Sequence, residues 1–222
     1  MKKMEILERI HAVGLLPVLR AASAQQALTI AGAILAGGVT VLEVTMTVPG
    51  ALQVIEQLVK HHDEALLVGA GTVLDAETAR SCLLAGAQFI VSPALELRTI
   101  ELCRRYSVPV MPGALTPTEI VTAWQAGADV VKIFPASAVG GAKYLKALQG
   151  PLPQIQMIPT GGVSLSTAEE FLEAGAFALG VGGDLVDAKA AAEGLAMLVA
   201  RVGARVALKE EAGRTDFKII HL

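Results

Sequence analysis

A short unit recurs along this chain: a helical stretch closes on Ala-Gly, and an apolar strand begins almost at once. It appears in "LAGGVTVLEVTM", "LAGAQFIVSP", "QAGADVVKIFP" and "EAGAFALGVGG". Gly37, Gly86, Gly127 and Gly175 stand where a helix C-terminus favours the left-handed conformation, which glycine adopts without steric cost. The chain is therefore assembled from βα units. These glycines lie roughly 40 to 50 residues apart, too far for one unit of about 25 residues, so another strand belongs in each interval. "LLPVLR", "ALLVGAGTV", "VPVMPGA" and "IQMIPTGG" supply the missing strands, which brings the strand candidates to eight. Ser23, Asp75 and Ser166 precede helical patterns and read as N-caps.

Eight strands alternating with helices predict a single-domain α/β fold, a (β/α)8 TIM barrel over residues 1–208. An N-terminal helix in "KKMEILERIHAVG" is expected to plug its bottom. Residues 209–222, "KEEAGRTDFKIIHL", form a charged tail of unknown role, open to strapping a neighbouring subunit, covering the barrel or staying disordered; the alternation in "DFKIIHL" hints at docking. A doubly wound open sheet is the alternative. It would use fewer strands and carry a glycine-rich loop after the first, where "LLPVLRAAS" has no glycine.

The 222 residues are 53% hydrophobic and 18% charged, enough to bury a large core and too apolar for disorder. The net charge of −3, with no basic cluster interleaved with aromatics, points away from nucleic acid and toward small-molecule partners. No apolar run approaches the roughly 20 residues of a membrane span, and the N-terminus has no continuous hydrophobic signal core. The expected location is the cytoplasm. Cys82 and Cys103 lack metal-ligand spacing and read as buried thiols without a disulfide.

In such a barrel the chemistry sits at the carboxyl ends of the strands. Those ends carry Arg20; Glu43 with Thr45 and Thr47; Thr72; Ser92 with Pro93; Pro112; Lys132 with Phe134; Thr160 with Gly161 and Gly162; and Gly182 with Gly183. Lys132 interrupts the apolar run "VVKIF", where a charge is costly to desolvate. Burial disfavours an ammonium relative to the free amine, and a neutral amine attacks ketones, so Lys132 is a Schiff-base candidate. The same Lys132 and Glu43 could instead form a buried ion pair that only fixes strand register. Thr45 and Thr72 could be plain β-favouring residues. "PTGG" and "VGG" lie where such barrels often hold a phosphate, although tight strand-to-helix turns need glycine pairs too.

"LEVTMTVPGAL", "VGAGTVLD", "FIVSPALE", "MPGALTPTE", "VVKIFPAS" and "IPTGGVS", in that order, resemble the 2-keto-3-deoxy-6-phosphogluconate (KDPG) aldolase family, which includes 4-hydroxy-2-oxoglutarate (KHG) aldolases. The likeness runs from about residue 15 to about residue 195. It implies a metal-independent class I aldolase, cofactor-free and usually trimeric, that cleaves KDPG to pyruvate and glyceraldehyde 3-phosphate. By motif it implies Lys132 as the Schiff-base lysine and Glu43 as the general acid/base. Thr72 and Thr160 would contact the pyruvate moiety, Phe134 would pack on it, Pro93 would line the wall and Arg20 would hold the carboxylate. Gly161, Gly162 and Gly182, with Gly183, would bind a distal phosphate. Thr47 stands where some members carry arginine, and Gly183, followed by Asp184, stands where serine is common. A carboxylate beside a phosphate is unfavourable unless it points away.

Alternatives within this chemistry are a KHG aldolase or an aldolase for the galactonate epimer of KDPG. A metal-dependent barrel would need His or carboxylate clusters at the strand ends, whereas His11, His61, His62 and His221 fall in helical or tail segments. A non-catalytic barrel, serving as a small-anion sensor or an assembly subunit, would suit the apolar content and Trp124.

Overall fold

The computed structural model of the chain describes residues 1–164 and 166–182. Gly183, Asp184, the end of the expected barrel domain and the tail 209–222 lie outside the described residues. After helix α1 (Lys3–Val13), strands and helices alternate: β1 (Leu15–Leu19), α2 (Ala24–Ala36), β2 (Val41–Thr45), α3 (Ala51–His62), β3 (Leu67–Gly71), α4 (Ala76–Leu84), β4 (Ile90–Val91) and α5 (Leu97–Arg105). Next come β5 (Val110–Met111), β6 (Gly113–Ala114), α6 (Pro117–Gln125), β7 (Val131–Ile133), α7 (Ala142–Gln149), β8 (Met157–Pro159), α8 (Ala168–Glu173) and β9 (Leu179–Val181).

β5 and β6 are two halves of one stave, parted at Pro112, which has no N–H to give to a ladder. Among the described residues the staves are therefore eight. Parallel pairing runs β5-β4-β3-β2-β1-β9 on one side and β6-β7-β8 on the other. The two arcs join where Thr160 bridges Gly180 in parallel and the Phe177 N–H donates to the Met157 carbonyl at 2.8 Å. The ring closes, so the (β/α)8 barrel stands and the open sheet does not. The helix expected after β9 lies outside the described residues.

Because strand side chains alternate, closure sorts them into two apolar layers. Leu42, Val44, Val68, Ala70, Ile90, Val131 and Ile133 face outward and pack with the helices. Leu16, Val41, Leu67, Phe89, Met111, Val130, Ile158 and Ala178 face inward and fill the lower barrel together with Ile6, Leu7 and Ile10 of α1. The N-terminal helix closes the bottom as expected. Arg9 fastens it there by donating to the carbonyls of Thr40, Glu64 and Ala65, and Lys3 pairs with Asp129 at 2.7 Å.

Two local expectations need correcting. Gly37 has φ −74; the left-handed turn after α2 is made by Gly38 at φ +85, while Gly86, Gly127 and Gly175 take positive φ as expected. A Gly-Gly pair offers two places for the reversal, and the helix runs one residue further before using the second. Ser166 does not cap α8, whose N-cap is Thr167; the Ser166 hydroxyl pairs with that of Ser164 at 2.9 Å. Thr167 instead accepts from the Ser164 N–H and donates to the Gly162 carbonyl, bracing the turn after β8. Ser23 and Asp75 cap α2 and α4 through the N–H groups of Gln26 and Thr78.

If α1 is part of the barrel core, Ile10→Ala will cost about 2–5 kcal/mol in urea unfolding, because Ile10 is fully buried in the inner layer. A cost below about 0.5 kcal/mol, the size of an ordinary surface change, would show that the helix merely rests on the barrel.

Candidate active site

Lys132 lies in the inward series Val130, Lys132, Phe134, one step above the apolar filling. Its backbone is set by pairing to Gly113 on one side and Ile158 on the other. Glu43 lies in the equivalent series Val41, Glu43, Thr45, between Val18 and Gly69. Both side chains are buried, at 5% and 1% exposure, and Lys132 Nζ stands 3.9 Å from Glu43 Oε1. The ammonium also lies 5.4 Å from the centre of the half-buried Phe134 ring.

At 3.9 Å a pair of unit charges attracts by about 4 kcal/mol at an effective dielectric near 20. Removing two ions from water costs several kcal/mol each, so attraction alone does not balance the burial. Among the described residues neither Glu43 oxygen has a hydrogen-bond donor. Accordingly, burial raises the Glu43 carboxyl above its ordinary range, against the opposing pull of Lys132 and then Arg20. A carboxyl whose affinity for a proton is raised in this way is a stronger base, which suits general acid/base work.

Glycines make room for this layer, and their role was not read from the sequence. A Cβ on Gly69 would fall 2.1 Å from the Phe89 ring, one on Gly113 would fall 2.2 Å from the Pro93 carbonyl oxygen, and one on Gly180 would fall 2.1 Å from Thr160 Oγ1. Gly71 stands in the same relation to Glu43, whose Oε1 would lie 1.8 Å away. Glycine inside an apolar strand is the signal that points to such close approaches.

Arg20 is exposed at the end of β1, near enough to Glu43 to bias its ionisation. Thr72 follows β3 with φ +55, a left-handed conformation rarely taken by a β-branched residue and typical of strained functional positions. Thr160 is buried and its carbonyl accepts from Ala136, while Gly161 accepts from Ser137; these bonds tie the turn after β8 to the loop that carries Phe134. Gly161 and Gly162 have φ +92 and +74, so backbone conformation requires glycine at both whatever they bind. Pro93 and Gly182 lie half-buried at the ends of β4 and β9. Thr45 is occupied structurally, donating to the Leu19 carbonyl at 3.0 Å and sharing a 2.8 Å hydrogen bond with Thr47.

Other reactive groups stand apart. Cys82 and Cys103 are free and buried, with burial pushing their thiols up to about 11 and about 12. His11 is in α1 and His61 and His62 are in α3; His221 is outside the described residues. Among the described residues no three His, Cys, Asp or Glu side chains are grouped as metal ligands, and no helix is long and apolar enough to cross a membrane. Trp124 packs, partly buried, on the outer core of its own chain.

Fold and site together give a (β/α)8 barrel in which a buried lysine and a buried carboxylate face each other inside the closed sheet. The chain belongs to the KDPG and KHG aldolase family, whose profile matches residues 6–201. It is 36% identical over 167 residues to the 2-dehydro-3-deoxy-phosphogluconate aldolase of Treponema pallidum, covering 75% of this chain and 79% of that one. It is also 36% identical over 172 residues to the 2-dehydro-3-deoxy-6-phosphogalactonate aldolase of Escherichia coli, covering 77% and 83%. Its fold matches the crystal structure of the KDPG aldolase of Legionella pneumophila with pyruvate captured at low pH as a covalent carbinolamine intermediate. That match has a TM-score of 0.77 and 30% identity, over 90% of this chain and 97% of that one.

The raised Glu43 carboxyl has a consequence for stability. A folded-state pKa above the unfolded one stabilises the fold below the ordinary carboxyl range, near pH 4, and that contribution is lost as pH rises through the folded value. Glu43→Gln removes the loss. The variant's stability relative to the parent should therefore grow between about pH 4 and about pH 8 in urea unfolding; a difference that is flat or shrinks with pH would refute the desolvated carboxyl.

Proposed function

We propose that this protein is a class I aldolase, an aldehyde-lyase that cleaves KDPG or a related 4-hydroxy-2-keto acid to pyruvate and an aldehyde such as glyceraldehyde 3-phosphate. The observation that carries the reading is Lys132 Nζ, buried 3.9 Å from a Glu43 carboxyl that has no hydrogen-bond partner among the described residues. The carbinolamine trapped in the Legionella relative supports the same chemistry.

In this mechanism the free amine of Lys132 attacks C2 of the keto acid, forming a C–N bond. Glu43 relays protons so that the C2 oxygen leaves as water, giving an iminium. Glu43, directly or through water, then removes the C4 hydroxyl proton. The C3–C4 electron pair moves into the iminium to form an enamine, and the C4 fragment departs as aldehyde. Protonation at C3 regenerates an iminium, and water hydrolyses it to pyruvate and the free lysine.

Arg20 would hold the substrate carboxylate, with Thr72 and Thr160 orienting the pyruvate portion, Phe134 packing on it and Pro93 lining the wall. Gly161, Gly162, Gly182 and Gly183 would receive a distal phosphate. This requires no metal or cofactor. KHG and the galactonate epimer are the alternative substrates, each matching the name of a relative in E. coli. Homotrimeric assembly and a cytoplasmic location belong to the same reading, on family resemblance alone.

Pyruvate release from KDPG, its galactonate epimer and KHG, followed with a coupled lactate dehydrogenase, tests the proposal. One of the three should be turned over, and Lys132→Arg should lose at least about 10³-fold in kcat, because an always-charged guanidinium cannot serve as the amine nucleophile. Full activity in that variant would sink the Schiff-base route. If the parent turns over none of the three, the substrate class is wrong.

A further inference from the structure

We infer that Gly71 is a positioning residue for the aldol chemistry: its missing side chain is the space in which the Glu43 carboxyl sits, so this glycine sets where the proton-transfer group stands relative to Lys132. The inference rests on the aldolase reading and goes beyond it by naming what fixes the carboxyl.

Gly71 ends β3, paired with Thr45 of β2, while Glu43 pairs with Gly69 two residues back. A Cβ at position 71 would lie 1.8 Å from Glu43 Oε1, 2.3 Å from Cδ and 2.4 Å from Cγ. The overlap reaches Cγ, so rotating the carboxyl about its last bond does not relieve it and the side chain must move from its root. The glycine is not needed for its backbone. Gly71 has no positive φ and keeps its strand bond, accepting from the Met46 N–H at 2.8 Å; the unusual conformation belongs to Thr72 beside it. Space is therefore what the position demands.

Among the described residues both Glu43 oxygens are buried without a hydrogen-bond partner, and Lys132 stands at 3.9 Å, longer than a direct hydrogen bond. The carboxyl is kept in place by shape: Val18 and Gly69 flank it in the sheet, the apolar filling lies below, and the hollow at Gly71 receives it. The neighbouring Gly69 differs in purpose, since a Cβ there would meet the Phe89 ring, which belongs to the lower packing.

The test is Gly71→Ala with two readouts. The first is exchange of the pyruvate C3 protons for solvent deuterium, followed by NMR, which requires the amine and the proton-transfer group but no aldehyde. The maximal rate should fall on the order of 10²-fold, as for a catalytic group displaced by about an ångström. The pyruvate concentration at half-saturation should stay within about two-fold, since Lys132 is untouched. The second is a stability cycle in urea. Gly71→Ala should destabilise the parent and be close to neutral in the Glu43→Ala background, where the hollow is no longer occupied. An unchanged exchange rate, or equal destabilisation in both backgrounds, overturns the inference. A parent that exchanges no pyruvate protons overturns the aldolase reading and with it the catalytic role of Gly71, while the stability cycle still decides whether Gly71 seats Glu43.

Discussion

Burying Lys132 and Glu43 side by side inside a closed sheet is the constraint on which the rest of this structure depends. Each ion loses several kcal/mol of hydration, and an attraction of about 4 kcal/mol at 3.9 Å does not cover both. The interior below the pair is apolar, the helices outside are packed, and among the described residues neither Glu43 oxygen has a hydrogen-bond partner. Among the described residues the pair is thus a carboxyl without a hydrogen-bond donor facing an amine, which is the geometry the proposed aldol chemistry uses.

The architecture keeps that imbalance local. Alternation along each strand puts Val130, Val41, Ile158 and Ala178 on the inner face together with α1, which excludes water from beneath the pair. One residue pair further along, the filling gives way to glycines at 69, 71, 113 and 180, so the barrel's upper interior is shaped by what is missing. The turn after β8 is bonded to the loop after β7 through Thr160, Gly161, Ala136 and Ser137. Those two loops bear Phe134 and the diglycine, so the surroundings of Lys132 are held as one unit.

Much of this was legible in the sequence because the fold is periodic and the site is costly. Four Ala-Gly junctions and eight apolar runs were enough for the barrel, and a lysine amid "VVKIF" stands out because a charge there is costly to bury. Local choices between neighbours were less legible. Gly37 and Gly38 are equivalent in pattern, as are Ser166 and Thr167, and the choice between them is made by where each helix meets its strand. The part played by Gly71 was out of reach for a different reason. It depends on which side chain of the adjacent strand faces the hollow, a matter of register between β2 and β3 that no single stretch of sequence carries.

The central claim is that Lys132 forms a covalent imine with a 2-keto acid. Borohydride reduction in the presence of pyruvate, followed by mass spectrometry of the peptide containing residue 132, tests it most directly. The account predicts a reduced pyruvyl adduct on Lys132, absent when Lys132→Ala is treated identically. A folded parent that yields no adduct, or one that is modified equally at other lysines and in the variant, would contradict it and leave Lys132 and Glu43 as a buried ion pair that only fixes strand register.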